Sequence, residues 1–230
     1  MVMKKPLDER VQILRPILEA DDVTLQQLEE IAQRSFIKNY SKKEVIFRRG
    51  ERCDFFYVVM DGLVKVSMYG STGSKITYLL AGRGEPINLV GPFTGRPRYL
   101  SAESLSNARV LLLKKDDFLS YVYQHPPVIS NIMIMLGSAI DTANDKILDM
   151  IEKRVEQRLM KVLYTLQKKF GQRLRFTSND FAELAGTTTE STLRAMAQFR
   201  KQGVIKSYRG EVIILDLEKM ENQGCETYWV

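Results

Sequence analysis

The stretch that decides the fold is DFAELAGTTTESTLRAMAQFRKQGVI, residues 180–205. Two helical patterns meet at Gly186, and Gly203 closes the second pattern as a glycine just past a helix end commonly does. Upstream, Thr177 and Ser178 are residue types that begin helices, and downstream VIKSY, RG and EVIIL predict a two-stranded hairpin. A short helix, a glycine-containing turn, a second helix and a hairpin predict a winged helix-turn-helix.

Positive charge is concentrated around this stretch. The whole chain carries a formal charge of +6, but residues 152–211 contain 13 Lys and Arg against 6 Asp and Glu. A field of this sign favours a polyanion as partner. The C-terminal part of the chain is therefore where a polyanion is expected to bind.

Polar residues fill the start of the second helix, which is predicted to run over about residues 188–202. Glu190 and Arg194 are spaced i and i+4 and so share one helix face. In the major groove a guanidinium can bond both acceptors of guanine, whereas a carboxylate accepts from the amino group of cytosine. Further candidates are Thr188, Thr189 and Ser191, for phosphates or bases, and Arg200, Lys201, Lys206 and Arg209, which either meet phosphates or are solvated.

Glu190 also has two readings that involve no DNA. Thr187 and Glu190 fit a capping box, in which the carboxylate reaches back to a backbone amide. Glu190 and Arg194 could instead form an exposed ion pair worth less than about 1 kcal/mol. The spacing alone leaves these readings open beside base contact.

The composition and hydropathy of the chain limit which cofactor and which cellular location are expected. The two cysteines, Cys53 and Cys225, are too few for an iron-sulfur cluster held by thiolates alone. No signal peptide is visible, and the most apolar run, residues 128–140, is shorter than the ~20 residues that cross a bilayer. We therefore expect a cytoplasmic protein with no membrane contact.

Short strand-like runs occupy the chain between Tyr40 and about Phe118. They read VIFRRG, FFYVVMDG, LVKVSMYGSTG, KITYLLAG and RVLLLKK, with glycines at the joints. This spacing predicts an antiparallel barrel or jelly roll. A β-sandwich without a ligand fits the same pattern.

A long helix is predicted after His125, where Pro126 and Pro127 suit a helix entry. Apolar residues follow at alternating spacings of 3 and 4, the repeat of a coiled-coil seam: Met133, Leu136, Ile140, Ala143, Ile147 and Met150. The helix is expected to pair with its copy in a homodimer, although the stripe could instead pack on its own barrel.

The predicted fold is thus α+β, in three segments. Residues 1–125 form a jelly-roll sensor preceded by N-terminal helices, residues 126–152 a long dimerisation helix, and residues 153–230 the winged helix-turn-helix. The N-terminal helices are expected to cover the barrel with an apolar face made of Leu14, Ile17, Leu18, Leu25, Leu28 and Ile31.

In this order the segments resemble the cyclic-AMP receptor protein and fumarate and nitrate reduction regulator (CRP/FNR) family of bacterial transcription regulators. The most specific match is the stretch quoted above, where Glu190 and Arg194 stand at the family's base-reading positions. GER at 50–52, the Asp61-Gly62 turn, Gly73 and Phe118 match its barrel. The resemblance implies a homodimer that binds an inverted repeat in double-stranded DNA, a small-molecule effector, and RNA polymerase as a further candidate partner. Thr189 stands where some relatives carry arginine, which leaves the preferred DNA sequence open.

The resemblance weakens at the effector pocket. Asn88 and Leu89 stand where cyclic-nucleotide-binding relatives carry glycine and glutamate, and Arg98 and Tyr99 stand at their arginine and hydroxyl positions. Leu89 cannot accept a ribose hydroxyl, whereas Arg98 can still pair with a phosphate or carboxylate. The family's paired hydroxyl residues on the long helix correspond to Ala143 and Asn144. With Gly91, these residues are the predicted effector site, and they disfavour cyclic AMP.

Haem is an alternative ligand, because the pocket is relatively apolar. His125 is the only histidine, so it or a methionine would supply an axial ligand, although a His-Pro helix entry is also a structural feature. Cys53 is a candidate redox switch, but a lone cysteine beside a turn is more often inert.

Two other classes of function fit the sequence less well than a transcription regulator does. An enzyme is disfavoured, because the chain has no P-loop, GxSxG, dinucleotide fingerprint or metal-ligand cluster. A winged helix that binds protein would expose an apolar face, whereas residues 188–191 and Arg194 are polar. The sequence therefore favours a DNA-binding regulator.

Overall fold

The structure, a computed structural model, describes residues 8–71 and 73–221 of the 230-residue chain. Cys225 and the outer ends of the predicted segments 1–125 and 153–230 lie outside the described residues. The chain forms two compact units, one of Met1–Met68 with Leu79–Gly137 and the other of Tyr69–Tyr78 with Ser138–Val230. The boundary after Gly137 falls within a helix, and the three-segment division stays a prediction.

Two helices and a set of short strands build the N-terminal unit. The helices are α1 (Glu9–Leu18) and α2 (Leu25–Gln33). The strands are β1 (Phe36–Tyr40), β2 (Val45–Phe47), β3 (Phe55–Asp61), β4 (Val64–Tyr69), β5 (Lys75–Ala81), β6 (Pro86–Ile87), β7 (Ser101–Ser104) and β8 (Ala108–Lys114). They form two four-stranded sheets, ordered β1-β8-β3-β6 and β2-β7-β4-β5. The five predicted runs are β2, β3, β4, β5 and β8.

Strands β1, β6 and β7 were not predicted from the sequence. Most of β1 is exposed at the edge of its sheet, β6 has two residues, and β7 reads SAES, with no β-branched or aromatic residue. The composition of β7 does not favour a strand, so β7 is set by its neighbours in the sheet; β1, by contrast, reads FIKNY, and its Phe, Ile and Tyr residues do favour a strand.

Strand β8 lies inside its sheet and is buried on both faces. Leu112 pairs with Phe36 of β1 on one side and with Tyr57 of β3 on the other. Because side chains alternate along a strand, Leu111 and Leu113 enter one apolar core and Val110 and Leu112 enter another. This two-sided burial explains why RVLLLKK reads as a continuous apolar run.

The first of these cores joins the sheet to the helices. It contains the predicted apolar face of α1 and α2 apart from Leu25, which is 48% exposed. Phe56 of β3 stacks on Phe118 of α4 (Lys115–Gln124) with ring centroids 4.2 Å apart. The expectation that the N-terminal helices cover the sheet is therefore met within this unit.

The long helix, α5, runs over Val128–Glu152 and exposes an apolar ridge. Met133 and Ile140 are each 58% exposed and Ile147 is 56% exposed. Leu136 and Ala143, by contrast, are partly buried. Residues three apart on an α-helix differ by about 60° around its axis, so Leu136 and Ala143 lie to one side of the exposed ridge formed by Met133, Ile140 and Ile147.

The C-terminal unit contains the predicted winged helix-turn-helix. Its elements are α6 (Val155–Phe170), β9 (Arg173–Leu174), α7 (Ser178–Ala185), α8 (Thr189–Lys201), β10 (Ile205–Tyr208), β11 (Glu211–Ile214) and α9 (Leu217–Glu221). Thr177 caps α7 and Gly203 follows α8 with φ 73°, as expected. The predicted hairpin is β10-β11, and β9 adds a third strand beside β11 that the sequence did not predict.

Buried charges join the end of α5 to α6. Asp149, which is 4% exposed, lies 2.7 Å from the Nζ of Lys153 and 2.9 Å from the Nζ of Lys161. Lys146 donates to the carbonyl of Tyr78 at 3.1 Å. Burial, together with the nearby Lys161 ammonium, lowers the pKa of Lys146 to about 8. The junction between the helices is thus held by charged groups.

Candidate DNA-binding and effector sites

The recognition helix α8 is anchored by one apolar face. Thr192, Ala195, Met196 and Phe199 are buried at the spacing of successive helical turns. Thr188, Thr189, Glu190 and Arg194 are exposed at the other side of its first turns. The helix therefore presents the polar residues that the sequence predicted for DNA contact.

The turn before α8 is closed by an arginine from α6. Gly186 has φ 61°, and a Cβ at this position would collide with the side chain of Met150. Arg158 donates from Nε to the carbonyl of Ala185 at 2.9 Å and from Nη2 to the carbonyl of Gly186 at 3.3 Å. The sequence did not predict this role of Arg158, because the two carbonyls of the turn lie 27 and 28 residues away along the chain; its Nη1 also donates to the carbonyl of Lys153 at 2.9 Å.

The alternative reading of Thr187 and Glu190 as a capping box is wrong. The N-cap of α8 is Thr188, whose side chain accepts a hydrogen bond from the backbone N of Ser191 at 3.1 Å. Glu190 is therefore in the first turn and not at the third position that a capping box requires. The carboxylate of Glu190 therefore does not cap the helix.

Glu190 instead pairs with Arg194, with 3.0 Å between Oε1 and Nη2. The two side chains are 83% and 74% exposed, respectively. A pair this exposed is worth a few tenths of a kcal/mol, so water or a base edge can replace it at little cost. Both side chains are available to a ligand.

The basic residues beyond the first turns of α8 differ in whether a neighbouring side chain contacts them. Arg200 donates to the Oγ of Ser207 at 2.8 Å, and Lys206 lies 5.4 Å from the ring centroid of Tyr208. A hydrogen bond with Tyr208 raises the pKa of Lys206. Lys201 and Arg209 are exposed. Leu193 of α8 is 49% exposed, although a leucine within a helix is usually expected to lie in the core.

Arg98 is the most unusual of the predicted effector residues. Its side chain lies over the rings of Phe47 and Tyr57, 4.0 and 5.0 Å from their centroids, and the residue is only 4% exposed. Its Nε and Nη1 are buried without a hydrogen-bond partner among the described residues. Native proteins rarely leave such donors unpaired, so an anion is the natural complement of this guanidinium.

Asn88, Leu89 and Gly91 form the adjoining turn. Asn88 has φ 64°, and its Nδ2 lies 3.4 Å from the Sγ of Cys53. Leu89 is 9% exposed and belongs to the core shared with the helices. Gly91, which opens the short helix α3 (Gly91–Thr94), leaves no room for a Cβ beside Asn88 and Cys53. Burial raises the pKa of the Cys53 thiol, which suits an inert cysteine.

Comparison with known proteins matches both units. The cyclic nucleotide-binding domain model matches residues 37–125, and the Crp-like helix-turn-helix domain model matches residues 157–223. The chain belongs to the CRP/FNR family. Its members are transcription regulators, so the coarse prediction of a regulator with a helix-turn-helix DNA-binding domain is confirmed, as is the predicted fold class.

Similarity to individual CRP/FNR proteins is distant but extends over most of the chain. A CRP-like cAMP-activated global transcriptional regulator of Mycobacterium tuberculosis is 24% identical, over 81% of this chain and 87% of its own. The fumarate and nitrate reduction regulatory protein of Vibrio cholerae is 25% identical over 97% and 98%. The solved structure of FixK2 from Bradyrhizobium japonicum has a TM-score of 0.74, with 20% identity over 82% of this chain and 96% of that one.

The remaining predicted residues are less tightly placed in this CRP/FNR chain. Tyr99 is 68% exposed and lies 5.2 Å from the guanidinium of Arg49. Ala143 and Asn144 are on α5 in the second compact unit, and their part in effector binding stays a prediction. In residues 8–71 and 73–221 no helix has both the length and the apolar character to cross a membrane.

His125 has the surroundings of a structural residue. It is 9% exposed, its ring packs against Tyr121 with centroids 4.8 Å apart, and its Nδ1 lies 3.7 Å from the carboxylate of Asp22. Its backbone N closes α4 by donating to the carbonyl of Tyr121 at 3.0 Å. An imidazole packed in this way does not fit an axial haem ligand.

The N-cap assignment predicts unequal effects of two neighbouring substitutions. Thr188→Ala removes the cap and should lower the free energy of unfolding by about 1 kcal/mol. Glu190→Ala removes only an exposed pair and should change it by less than about 0.5 kcal/mol. Urea unfolding followed by circular dichroism measures both. The reverse order of the two losses would restore the capping-box reading of Glu190.

Proposed function

We propose that the chain is an effector-responsive transcription regulator that binds an inverted repeat in double-stranded DNA as a homodimer. The observation that carries the proposal is the exposed polar start of α8, where Glu190 and Arg194 lie on one face with their side chains in solvent. A guanidinium suits guanine and a carboxylate suits the amino group of cytosine, so the half-site is expected to contain a G·C-bearing core.

Charge supports DNA over a protein partner for the winged helix. Arg194, Arg200, Lys201 and Arg209 are exposed around α8 and the hairpin. The apolar exception on α8, Leu193, is a single residue rather than a patch. The Oγ1 of Thr188 accepts from the backbone N of Ser191 at 3.1 Å and its hydroxyl donates to the Oγ of Ser191 at 3.0 Å, so phosphate contact by Thr188 would require the hydroxyl to turn away from Ser191.

The ridge on α5 supports a homodimer. Met133, Ile140 and Ile147 are spaced seven residues apart, and Ile151 is the most exposed at 76%. A helix with such a ridge is suited to a parallel partner helix of the same sequence. Two-fold symmetry would then set two α8 helices about 34 Å apart, one turn of DNA.

Arg98 supports a small anionic effector other than cyclic AMP. A buried guanidinium with unpaired Nε and Nη1 calls for a phosphate or carboxylate. Leu89, at the position of the ribose-binding glutamate, is packed in the core and offers no acceptor. Effector binding in the N-terminal unit would shift the equilibrium between forms that bind DNA with different affinity.

The protein is expected to act in the cytoplasm, with RNA polymerase as a further partner, and without catalytic activity of its own. Haem is the second candidate ligand from the sequence. The packing of His125 against Tyr121 gives it no support, and an absorption spectrum of the purified protein without a Soret band would exclude it.

The DNA-reading proposal predicts that the full chain selects an inverted repeat from a random duplex library, alone or with a pool of nucleotides and organic acids added. Arg194→Ala should cost about 1–3 kcal/mol of discrimination at one G·C pair per half-site. Arg175→Ala, an exposed arginine outside α8, is the matched control and should keep the preference. Failure to enrich any repeat under either condition, with salt-insensitive binding, would favour the protein partner.

Ile140→Lys is expected to shift the sedimentation coefficient from dimer to monomer, because an ammonium would be buried against its own copy in the helix pair. Asp145→Lys adds the same side chain to an exposed position on the same helix, away from the ridge, and should remain dimeric. A monomeric wild-type protein, or a dimeric Ile140→Lys variant, would contradict the assignment of this ridge as the interface.

Anion binding at Arg98 should appear as thermal stabilisation of the wild-type protein by a subset of phosphorylated or carboxylated small molecules. A ligand at 100 times its Kd stabilises by about 2.7 kcal/mol. Arg98→Met should lose this response, while Arg96→Met, an exposed arginine two residues away, should keep it. Retention of the response in Arg98→Met would remove this arginine from the site.

A further inference from the structure

Three side chains connect α7 to the first residue of the recognition helix. Glu183 of α7 accepts at Oε1 from the Nδ2 of Asn179, one turn earlier, at 2.8 Å. The Oδ1 of the same amide accepts from the hydroxyl of Thr189 at 3.3 Å. Glu183 is buried, whereas Asn179 and Thr189 are at the surface. The three groups form a chain from the interior to the face that would meet DNA.

Glu183 is held from its other side by the start of β5. Its Oε2 lies 3.8 Å from the Nζ of Lys75 and accepts from the hydroxyl of Thr77 at 3.5 Å. All of these residues belong to the second compact unit. The carboxylate of Glu183 thus faces the ammonium of Lys75 and the donors of Thr77 and Asn179, and its two oxygens act as acceptors toward them.

The chemistry of these groups decides which way the amide of Asn179 faces. An ionised carboxylate cannot donate, so the NH₂ of Asn179 must point to Glu183. The amide oxygen then points to Thr189, and an oxygen can only accept. The hydroxyl proton of Thr189 is therefore committed to Asn179, while the lone pairs of its oxygen stay available.

We propose that Asn179 and Glu183 are positioning residues that make Thr189 an acceptor toward DNA, so that Thr189 reads an amino group on a base edge. This inference rests on the proposed DNA-binding function and names a specificity determinant within it. Adenine and cytosine carry amino donors in the major groove, whereas guanine and thymine present acceptors there. Phosphates only accept, so the arrangement turns Thr189 away from them. Its neighbours Glu190 and Arg194 read bases without this network.

The test uses the inverted repeat selected by the full chain and removes one hydrogen-bonding group of a base at a time. The base pair that depends on Thr189 is the one whose preference changes in Thr189→Val. At that pair, adenine is replaced by purine or cytosine by 2-pyrimidinone, which removes the amino group; separately, the purine is replaced by its 7-deaza analogue, which removes an acceptor. Affinities of wild type, Thr189→Val and Glu183→Gln are then compared on each duplex.

Loss of the amino group should weaken wild-type binding by about five-fold, the size of one hydrogen bond, and should leave Thr189→Val unaffected. Glu183→Gln allows the Asn179 amide to turn, so its sensitivity to the amino group should fall below that of the wild type. Glu218→Gln removes the same charge from an exposed position in the same unit, and should behave as the wild type. For each protein, the ratio of its affinities for the unmodified and the modified duplex is compared, because a general loss of folding or affinity changes both values equally.

Different failures point to different errors. Coupling of Thr189 to the 7-position acceptor, coupling to neither group, or a Glu183→Gln variant with wild-type ratios would each overturn this inference while leaving DNA recognition intact. If the wild-type chain enriches no sequence at all, DNA reading itself is overturned and this inference falls with it.

Discussion

At Gly186 the chain reverses between α7 and α8 with a left-handed backbone, and the orientation of the recognition helix follows from that turn. The positive φ is what favours glycine at this position, and the flexible end of the Met150 side chain would have to move if a Cβ were added. Arg158 then satisfies the carbonyls that the end of α7 leaves free. Because the turn is closed from within the unit, the first turns of α8 can remain polar and exposed without weakening the fold.

In the N-terminal unit, side chains alternate along β3 and β8, so that one sheet contributes residues to two apolar cores. Arg98 is a buried charged residue beside these apolar side chains. Its guanidinium is packed on Phe47 and Tyr57, and cation–π contact offsets only part of the cost of burying unpaired donors. The proposed anionic effector would supply the missing hydrogen-bond partners of Arg98, because a guanidinium pairs with a phosphate or carboxylate. The proposed functional groups of both units are polar: in the C-terminal unit they are the exposed pair of Glu190 and Arg194, and in the N-terminal unit the buried guanidinium of Arg98.

Much of this was readable from the sequence, and the exceptions have physical causes. Gly186, Gly203 and Thr177 mark the helix ends of the C-terminal unit because backbone conformation restricts which residues fit there. By contrast, SAES became β7 only through its neighbours β2 and β4, and spacing could not tell Thr187 from Thr188 as the cap of α8. Arg158, Asn179 and Glu183 were missed for the same reason, since their partners are set by tertiary geometry rather than by local pattern. The division at 125 and 152 and the roles of the individual site residues stay predictions.

Strand β5 is divided between the two compact units, with Lys75–Tyr78 in one and residues 79–81 in the other. The units are therefore connected by the chain at both ends of the segment 69–78 as well as within α5. A chimera joined at one point within α5 would take only the C-terminal part of the second unit from a relative. The relative's own segment equivalent to 69–78 would be absent, and with it the residues equivalent to Lys75 and Thr77 that contact Glu183. Recombination between such regulators, in nature or in the laboratory, is thus constrained to transfer the segment 69–78 together with α7 and α8.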